Sequence, residues 1–189
     1  ACPPGWPDPV PIWGGGHGWR GMHKRNQGGS AVSASYRQGL GEFFMDDLWR
    51  FEAAGVVPTP EVQTKLTGVL NDERRAIQMH HKPYSLVSYA WGQRYQQSHQ
   101  WAAETLAMAL DDNGNVSGTV NRTQAQHWMQ THDYQPTVLH IGALTRVGGS
   151  MCSTNIAFAD HPNAQRYSDH IATDTVDALF ACMTHARVT

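Results

Sequence analysis

Charge is what this 189-residue chain has little of: Asp, Glu, Lys and Arg make up 16% of it, against about 25% in ordinary soluble domains. Its 14 basic and 16 acidic side chains leave a formal net charge of −2. No Lys/Arg run exceeds two residues, the densest basic stretch being His23-Lys24-Arg25. That excludes the phosphate-neutralising surface a nucleic-acid binder needs. No apolar run approaches the roughly 18 residues of a membrane-spanning helix. The three cysteines, Cys2, Cys152 and Cys182, have no metal-ligand spacing. His-Glu-x-x-His, helical His pairs four apart and Gly-x-Ser-x-Gly are all missing, so neither a zinc protease nor a nucleophile elbow is written here. Internal repeats and low-complexity tracts are missing too. The expectation is therefore no nucleic acid, no membrane span, no metal and no cofactor.

What is present is a folding composition. Hydrophobic residues make up 40%, with 18 Gly, 7 Trp and 6 Tyr, and the length suits one domain with a real core. Eleven histidines give the molecule the means to turn net positive near pH 5 to 6. Residues 1–30 differ from the rest. Pro3, Pro4, Pro7, Pro9 and Pro11 are half of the ten prolines, glycines from Gly14 on follow them, and Trp6, Trp13 and Trp19 are interleaved. Proline fixes φ and favours extended backbone. We read 1–30 as an arm without regular structure, its three indoles lying on its own domain or on a partner, and 31–189 as a single globular domain.

Along that domain, Leu40, Phe43, Phe44, Leu48 and Phe51 have helical spacing within 35–54. Thr59-Pro60-Glu61 combines a capping hydroxyl, Pro at the first helical position and an acid in the first turn. The stripe Val62, Leu66, Val69 and Leu70 follows it. Asp72 is placed to cap a second short helix reaching about His80. Residues 84–91 are rich in strand formers and read as extended. Residues 111–115 read as a turn or loop. Asn121 or Thr123 opens a helix with Ala125, Trp128 and Met129 inward, ending near His132. Residues 137–144 fit strand or helix by length, their β-branched residues favouring strand; 155–158 and 171–176 read as short strands, and a last helical segment runs over 176–183.

The best helix lies in Tyr95 to Leu110. Trp101, Thr105 and Met108 share one stripe, and Ala102, Leu106, Ala109 and Leu110 the next, giving a wide apolar face of helical period. Its first turn crowds together Gln97, Ser98, His99 and Gln100, where the dipole is positive and N–H groups lack intrahelical partners. Tyr95, Gln97, Ser98, His99 and Gln100 are the candidate binding cluster, with Asp160 and His161 as further candidates. His99 is expected to be neutral at pH 7, and Trp101 buried. Ser98 and His99 point about 100° apart on a helix, so they do not pair directly. A metal site drawn from His80, His81, His99, Asp160, His161, Asp169 and His170 has no helical His pair to build on, and Asp160-His161-Pro162 reads as a structural turn.

Several segments in order carry a resemblance: the stretch from Tyr36 to Asp47, the stretch from Tyr95 to Trp101 with Glu104, Tyr134 to Thr137, Leu144 to Arg146, and Asn155 to Pro162 with Val176 and Asp177. Over about 20–180 the chain resembles DUF-2145, an uncharacterised family of exported proteobacterial proteins. The resemblance implies export, with a signal peptide already removed, and a periplasmic or extracellular location. More distantly the family looks like a circularly permuted relative of the papain-like NlpC/P60 hydrolases. Such a fold places its nucleophile at the start of a core helix, where the dipole lowers a thiol's pKa. Here that place reads Gln97-Ser98-His99, without Cys. The family's usual Asn-x-Cys-Gly reads Asn26-Gln27-Gly28-Gly29, and its paired Asp before His-Pro reads Ala159-Asp160.

The fold expected is α+β: one domain of helices around a small sheet, papain-like if the distant resemblance holds. The function expected is that of a non-enzymatic exported interaction or accessory protein, binding a protein partner or itself. The alternative is a degenerate papain-like cell-wall peptide hydrolase. The cysteines leave two readings, three free thiols or, on export, a Cys152–Cys182 bridge with Cys2 spare.

Overall fold

The computed structural model describes residues 20–26, 30–39, 55–111 and 121–185. Among these the fold is α+β, with seven helices and four short strands. The strands are β1 (Arg20–Asn26), β2 (Ser33–Gly39), β3 (Thr137–His140) and β4 (His170–Thr173). The helices are α1 (Pro60–Asn71), α2 (Glu73–Gln78), α3 (Ser98–Leu110), α4 (Arg122–Thr131), α5 (Ala143–Cys152), α6 (Asn163–Tyr167) and α7 (Val176–His185).

Helix α3 is the axis of the core. Every residue from Gln100 to Ala109 except Ala102 is buried, as befits a helix packed on nearly all sides. Val62, Leu66, Val69 and Leu70 of α1, Ala125 and Met129 of α4, and Ala178 and Met183 of α7 close around Trp101, Leu106 and Met108. Local chemistry sets where these helices begin. Asn121 and Gln124 form a reciprocal capping box, each side chain accepting the other's backbone N–H at 3.0 Å, which satisfies two orphan donors of α4. Asp72 Oδ1 accepts from the Arg74 and Arg75 amides and starts α2. Thr175 Oγ1 accepts from Ala178 N at 3.2 Å at the head of α7. Helix α1 starts on Pro60, but Thr59 makes no side-chain cap; the fixed φ of proline suffices there.

Several expected elements are corrected. The sheet is two separate antiparallel ribbons, β1–β2 and β3–β4. Residues 20–26, read as irregular arm, are β1, and 35–39, read as helix, belong to β2 with Tyr36 opposite His23. Pairing with a neighbouring strand overrides a helical spacing that Gly39 already weakened. Residues 40–54 lie outside the described residues, as do Cys2, Trp6, Trp13 and Trp19 of the arm and most of the 111–115 turn. Residues 84–91 form turns instead of a strand. Their backbone is satisfied piecemeal, Leu86 N donating to Asn155 O at 2.8 Å and Ala90 N to Ala172 O at 3.2 Å, so this segment flanks β4 without joining it. Residues 155–158 likewise form no strand. The strand expected over 137–144 stops at His140, and the sequence gives way to α5, an unforeseen helix.

Cys152 and Cys182 are both free thiols, so the bridge expected between them is not formed. Cys152 is exposed at the end of α5, while Cys182 on α7 faces the helical core beside Trp128 and Leu179. Burial there raises the Cys182 pKa.

Candidate functional site

The start of α3 holds the amides that the sequence placed there, but most are turned inward. Gln96, Gln97 and Gln100 are 0%, 3% and 0% exposed. Each is held by groups on other segments, because a buried amide without partners costs the full desolvation penalty. Gln97 Nε2 donates to Thr173 Oγ1 and to the Asp174 carbonyl, both at 2.7 Å. Gln100 Nε2 donates to the carbonyls of Tyr89 and Ala90 at 3.1 Å, and its Oε1 accepts from Ser88 Oγ at 2.8 Å. These two glutamines stitch the turns at 84–91 and the end of β4 to α3.

Gln96 opens onto a deeper network. Its Oε1 accepts from the ammonium of Lys24 at 2.5 Å and from His81 N at 2.8 Å. Its Nε2 donates to Met79 O at 2.7 Å and to the Glu104 carboxylate. Glu104, fully buried on α3, forms a bidentate pair with Arg122, Nε to Oε2 at 2.8 Å and a terminal nitrogen to Oε1 at 3.1 Å. Gln126 Nε2 adds a 2.7 Å bond to Oε1. Four donors thus meet one buried carboxylate, the condition under which such a pair is tolerated. Arg122 also donates to the carbonyls of Gly92, Gln93 and Tyr95, tying the loop before α3 to the first turn of α4. Gly92 sits where a side chain is crowded: a Cβ there would lie 3.1 Å from Tyr89 O and 3.2 Å from Asp160 Oδ2, so those neighbours would have to give by a few tenths of an ångström.

Burial tunes the titratable members. It lowers the Lys24 pKa to about 7, with the nearby Arg122 charge adding to the effect. It lowers His80 to about 4, with Lys24 and His81 as lesser causes. Both histidines line an open cleft of about 570 Å³ together with Gln93, Asn121, Arg122 and Gln124. The cleft's imidazoles are therefore neutral hydrogen-bonding groups at pH 7.

The remaining candidates are dispersed. Ser98 Oγ donates to the Lys24 carbonyl at 2.7 Å, which anchors α3 to β1. His99 retains solvent access. Surrounding protein lowers its pKa, opposed by its hydrogen bond to the Asp174 backbone, so it is neutral at pH 7 as expected, with desolvation outweighing that bond. Tyr95 is half-buried, with Arg94 lying over its ring at 5.4 Å. Asp160 and His161 form their own unit. His161 Nδ1 meets Asp160 Oδ1 at 3.1 Å, Asp160 Oδ2 accepts from Tyr89 N at 2.8 Å, and the imidazole packs on Tyr89 and Phe158. His161 Nε2 is buried with no partner. No histidine ring is among the partners of Ser98 Oγ in the described residues.

The sequence reading missed Lys24, Arg122, Gln126 and Asp174. A signal for the network existed: Gln97, Gln100 and Glu104 recur at three and four residues along a helix whose one carboxylate is Glu104. A polar stripe on an otherwise apolar helix calls for a buried partner. Asp174, in the loop before α7, is buried beside Tyr134, whose hydroxyl donates to Oδ1 at 2.8 Å, while Oδ2 has no partner. Burial raises the Asp174 pKa to about 7.

Comparison with known families gives one match. The model described as "Uncharacterized protein conserved in bacteria (DUF2145)" covers residues 12–183. No curated protein and no solved structure matches the chain.

Proposed function

The chain belongs to the bacterial family DUF2145, and from that premise we propose that it is a non-enzymatic, exported interaction or accessory protein of the bacterial envelope. The observation that carries this reading is the use made of the α3 start. In a papain-like hydrolase that position presents an activated nucleophile. Here Ser98 Oγ is bonded to the Lys24 carbonyl, and the flanking Gln96, Gln97 and Gln100 hold the fold together. The chemistry is that of a clamp. Neutral imidazoles, amides and half-exposed aromatics around it suit contact with a protein surface, and Trp6, Trp13 and Trp19 supply further anchors of the residue type that dominates interfaces.

A degenerate cell-wall peptide hydrolase is the second reading. It is favoured by the Asp160–His161 unit, an imidazole oriented by a carboxylate with its other nitrogen free. Incubating wild type, Ser98→Ala and His99→Ala with cell-wall peptides at matched folded concentration separates the two. The interaction reading expects no turnover by any of the three. Wild-type turnover overturns it, and loss of that turnover in either variant assigns the chemistry to the α3 start. Fractionation of cells producing the full-length gene product tests export; retention in the cytoplasm counts against it.

A further inference from the structure

Helix α5 is amphipathic with its faces reversed. Leu144, Val147 and Met151 are 90%, 58% and 82% exposed. At 100° per residue they share one face with Gly148. The opposite face, Arg146 and Gly149, is the one turned to the body of the protein. Arg146 donates to the Ile141 carbonyl and pairs with Asp169 Oδ1 at 2.5 Å, and Gly149 lies against the Ile156 side chain at 3.6 Å. No residue of α5 is buried. An ion pair and a glycine contact therefore moor the helix, while its apolar residues face water. Folding of this chain gives no return for that arrangement, since the area is not removed from water.

We propose that this face is the self-association surface of the protein, the α5 helix of one copy packing against α5 of a second in an isologous pair. This deepens the interaction reading, on which it rests, by naming the surface and the partner. Three features select a second copy. The spacing 144, 147, 148, 151 is that of a two-helix seam. The rim, Ala143, Thr145, Ser150 and Cys152, carries no charge, and the helix's one charged residue, Arg146, points inward. The face thus meets its own image without like-charge repulsion. It also lacks the Lys and Arg that an anionic membrane surface would require. Finally, Gly148 has nothing within 4 Å of a Cβ position, so two backbones have room to approach. Three apolar side chains on one short helix fall well short of the roughly 800 Å² per partner of a standard interface. The pair is accordingly weak and concentration-dependent.

Sedimentation velocity of the 189-residue chain from about 1 μM to about 1 mM, the range in which a weak interface dissociates, tests this. Wild type should shift from monomer to dimer across the series. Leu144→Glu and Met151→Glu, both at exposed positions, should each hold the chain monomeric with an unchanged circular-dichroism spectrum. Ile77→Glu, on the exposed face of α2, should dimerise like wild type. A wild type monomeric throughout, or a dimer indifferent to both α5 variants, overturns the proposal; so does a dimer lost only with Ile77→Glu. None of these outcomes decides whether the chain cleaves peptides, so failure of the pair and failure of the non-enzymatic reading are distinguishable.

Discussion

The start of α3 and the whole of α5 are opposites. At the first, Gln96, Gln97, Gln100 and Glu104 sit where a core would normally be apolar. At the second, Leu144, Val147 and Met151 sit where a surface would normally be polar. Both break the pattern of apolar inside and polar outside, but they break it differently. The buried polar groups are nearly all satisfied from within: Glu104 alone meets four donors. The exposed apolar groups have no counterpart among the described residues. A satisfied exception is part of the folding energetics, whereas an unsatisfied one points outside the chain. The comparison locates a source of stability at α3 and, at α5, the face on which the proposed self-association rests.

The largest effect should come from breaking the satisfied side. Glu104→Ala leaves the Arg122 guanidinium buried without its carboxylate and takes one of two acceptors from each of the Gln96 and Gln126 amides. We expect a loss of about 3–5 kcal/mol in urea unfolding, enough to unfold a domain of ordinary stability. Replacing both partners, Glu104→Leu with Arg122→Met, should recover most of it. If the single substitution costs under about 1 kcal/mol, the network is a surface ornament and the comparison fails. Trp101→Ala probes the apolar part of the same helix. Trp101 is 3% exposed, and its removal should cost about 3–5 kcal/mol through the cavity left behind. Its indole N–H has no partner, so Trp101→Phe should cost far less than Trp101→Ala in the same assay.

How much of this was legible in the sequence depends on how local the cause is. Asn121 and Asp72 act within three residues of themselves, and their helices start where the sequence places them. The apolar stripe of α3 is local too, and Trp101 is buried as its spacing requires. The strands were harder. Residues 35–39 carry a helical spacing, yet pair with β1, a partner that no local pattern names. Residues 84–91 have strand-forming side chains, yet find backbone partners on Asn155 and Ala172 one at a time. The candidate cluster was half legible. Gln97 and Gln100 do meet, through Ser88 Oγ, while Ser98 bonds apart from them to Lys24; the partners Lys24, Thr173 and Asp174 are far off in sequence, and only they reveal a clamp in place of an open site. α5 was missed because its apolar residues do not pack against the chain, so their spacing fitted no core.

Asp174 supplies a smaller and pH-dependent effect. Its folded-state pKa, about 7, lies above the ordinary carboxyl value of 3.8. The folded state therefore binds the extra proton between those values, and stability falls as pH rises through that window. The wider curve is mixed. His80, lowered to about 4, works in the opposite direction below about 6.5, and Lys24, lowered to about 7, adds stability as pH rises above that point. A difference measurement isolates the carboxyl. Asp174→Asn keeps an acceptor for the Tyr134 hydroxyl and removes the charge. It should match wild type near pH 4 and exceed it at pH 8 by on the order of a few kcal/mol. Equal pH profiles for the two proteins would show that the buried Oδ2 finds a donor after all, and would shrink the satisfied-versus-unsatisfied contrast.

The smallest effect is expected at α5, and its smallness is the point. Leu70 of α1 is 4% exposed and Leu144 of α5 is 90% exposed, so the same residue type is present in both environments. Leu70→Ala should cost about 2–5 kcal/mol. Leu144→Ser, measured at protein concentrations where the chain is monomeric, should change stability by no more than about 0.5 kcal/mol. At high concentration the wild type should gain a concentration-dependent increment in Tm that Leu144→Ser lacks, because a partner that binds only the folded state stabilises it by mass action. Loss of more than about 1 kcal/mol in dilute Leu144→Ser would mean that another part of the same chain covers α5, and the exposed stripe would then belong to the fold instead of to a second copy. A small dilute effect with a concentration-dependent difference separates the two faces of the molecule as argued: the polar interior is complete in one chain, and the apolar exterior is complete in two.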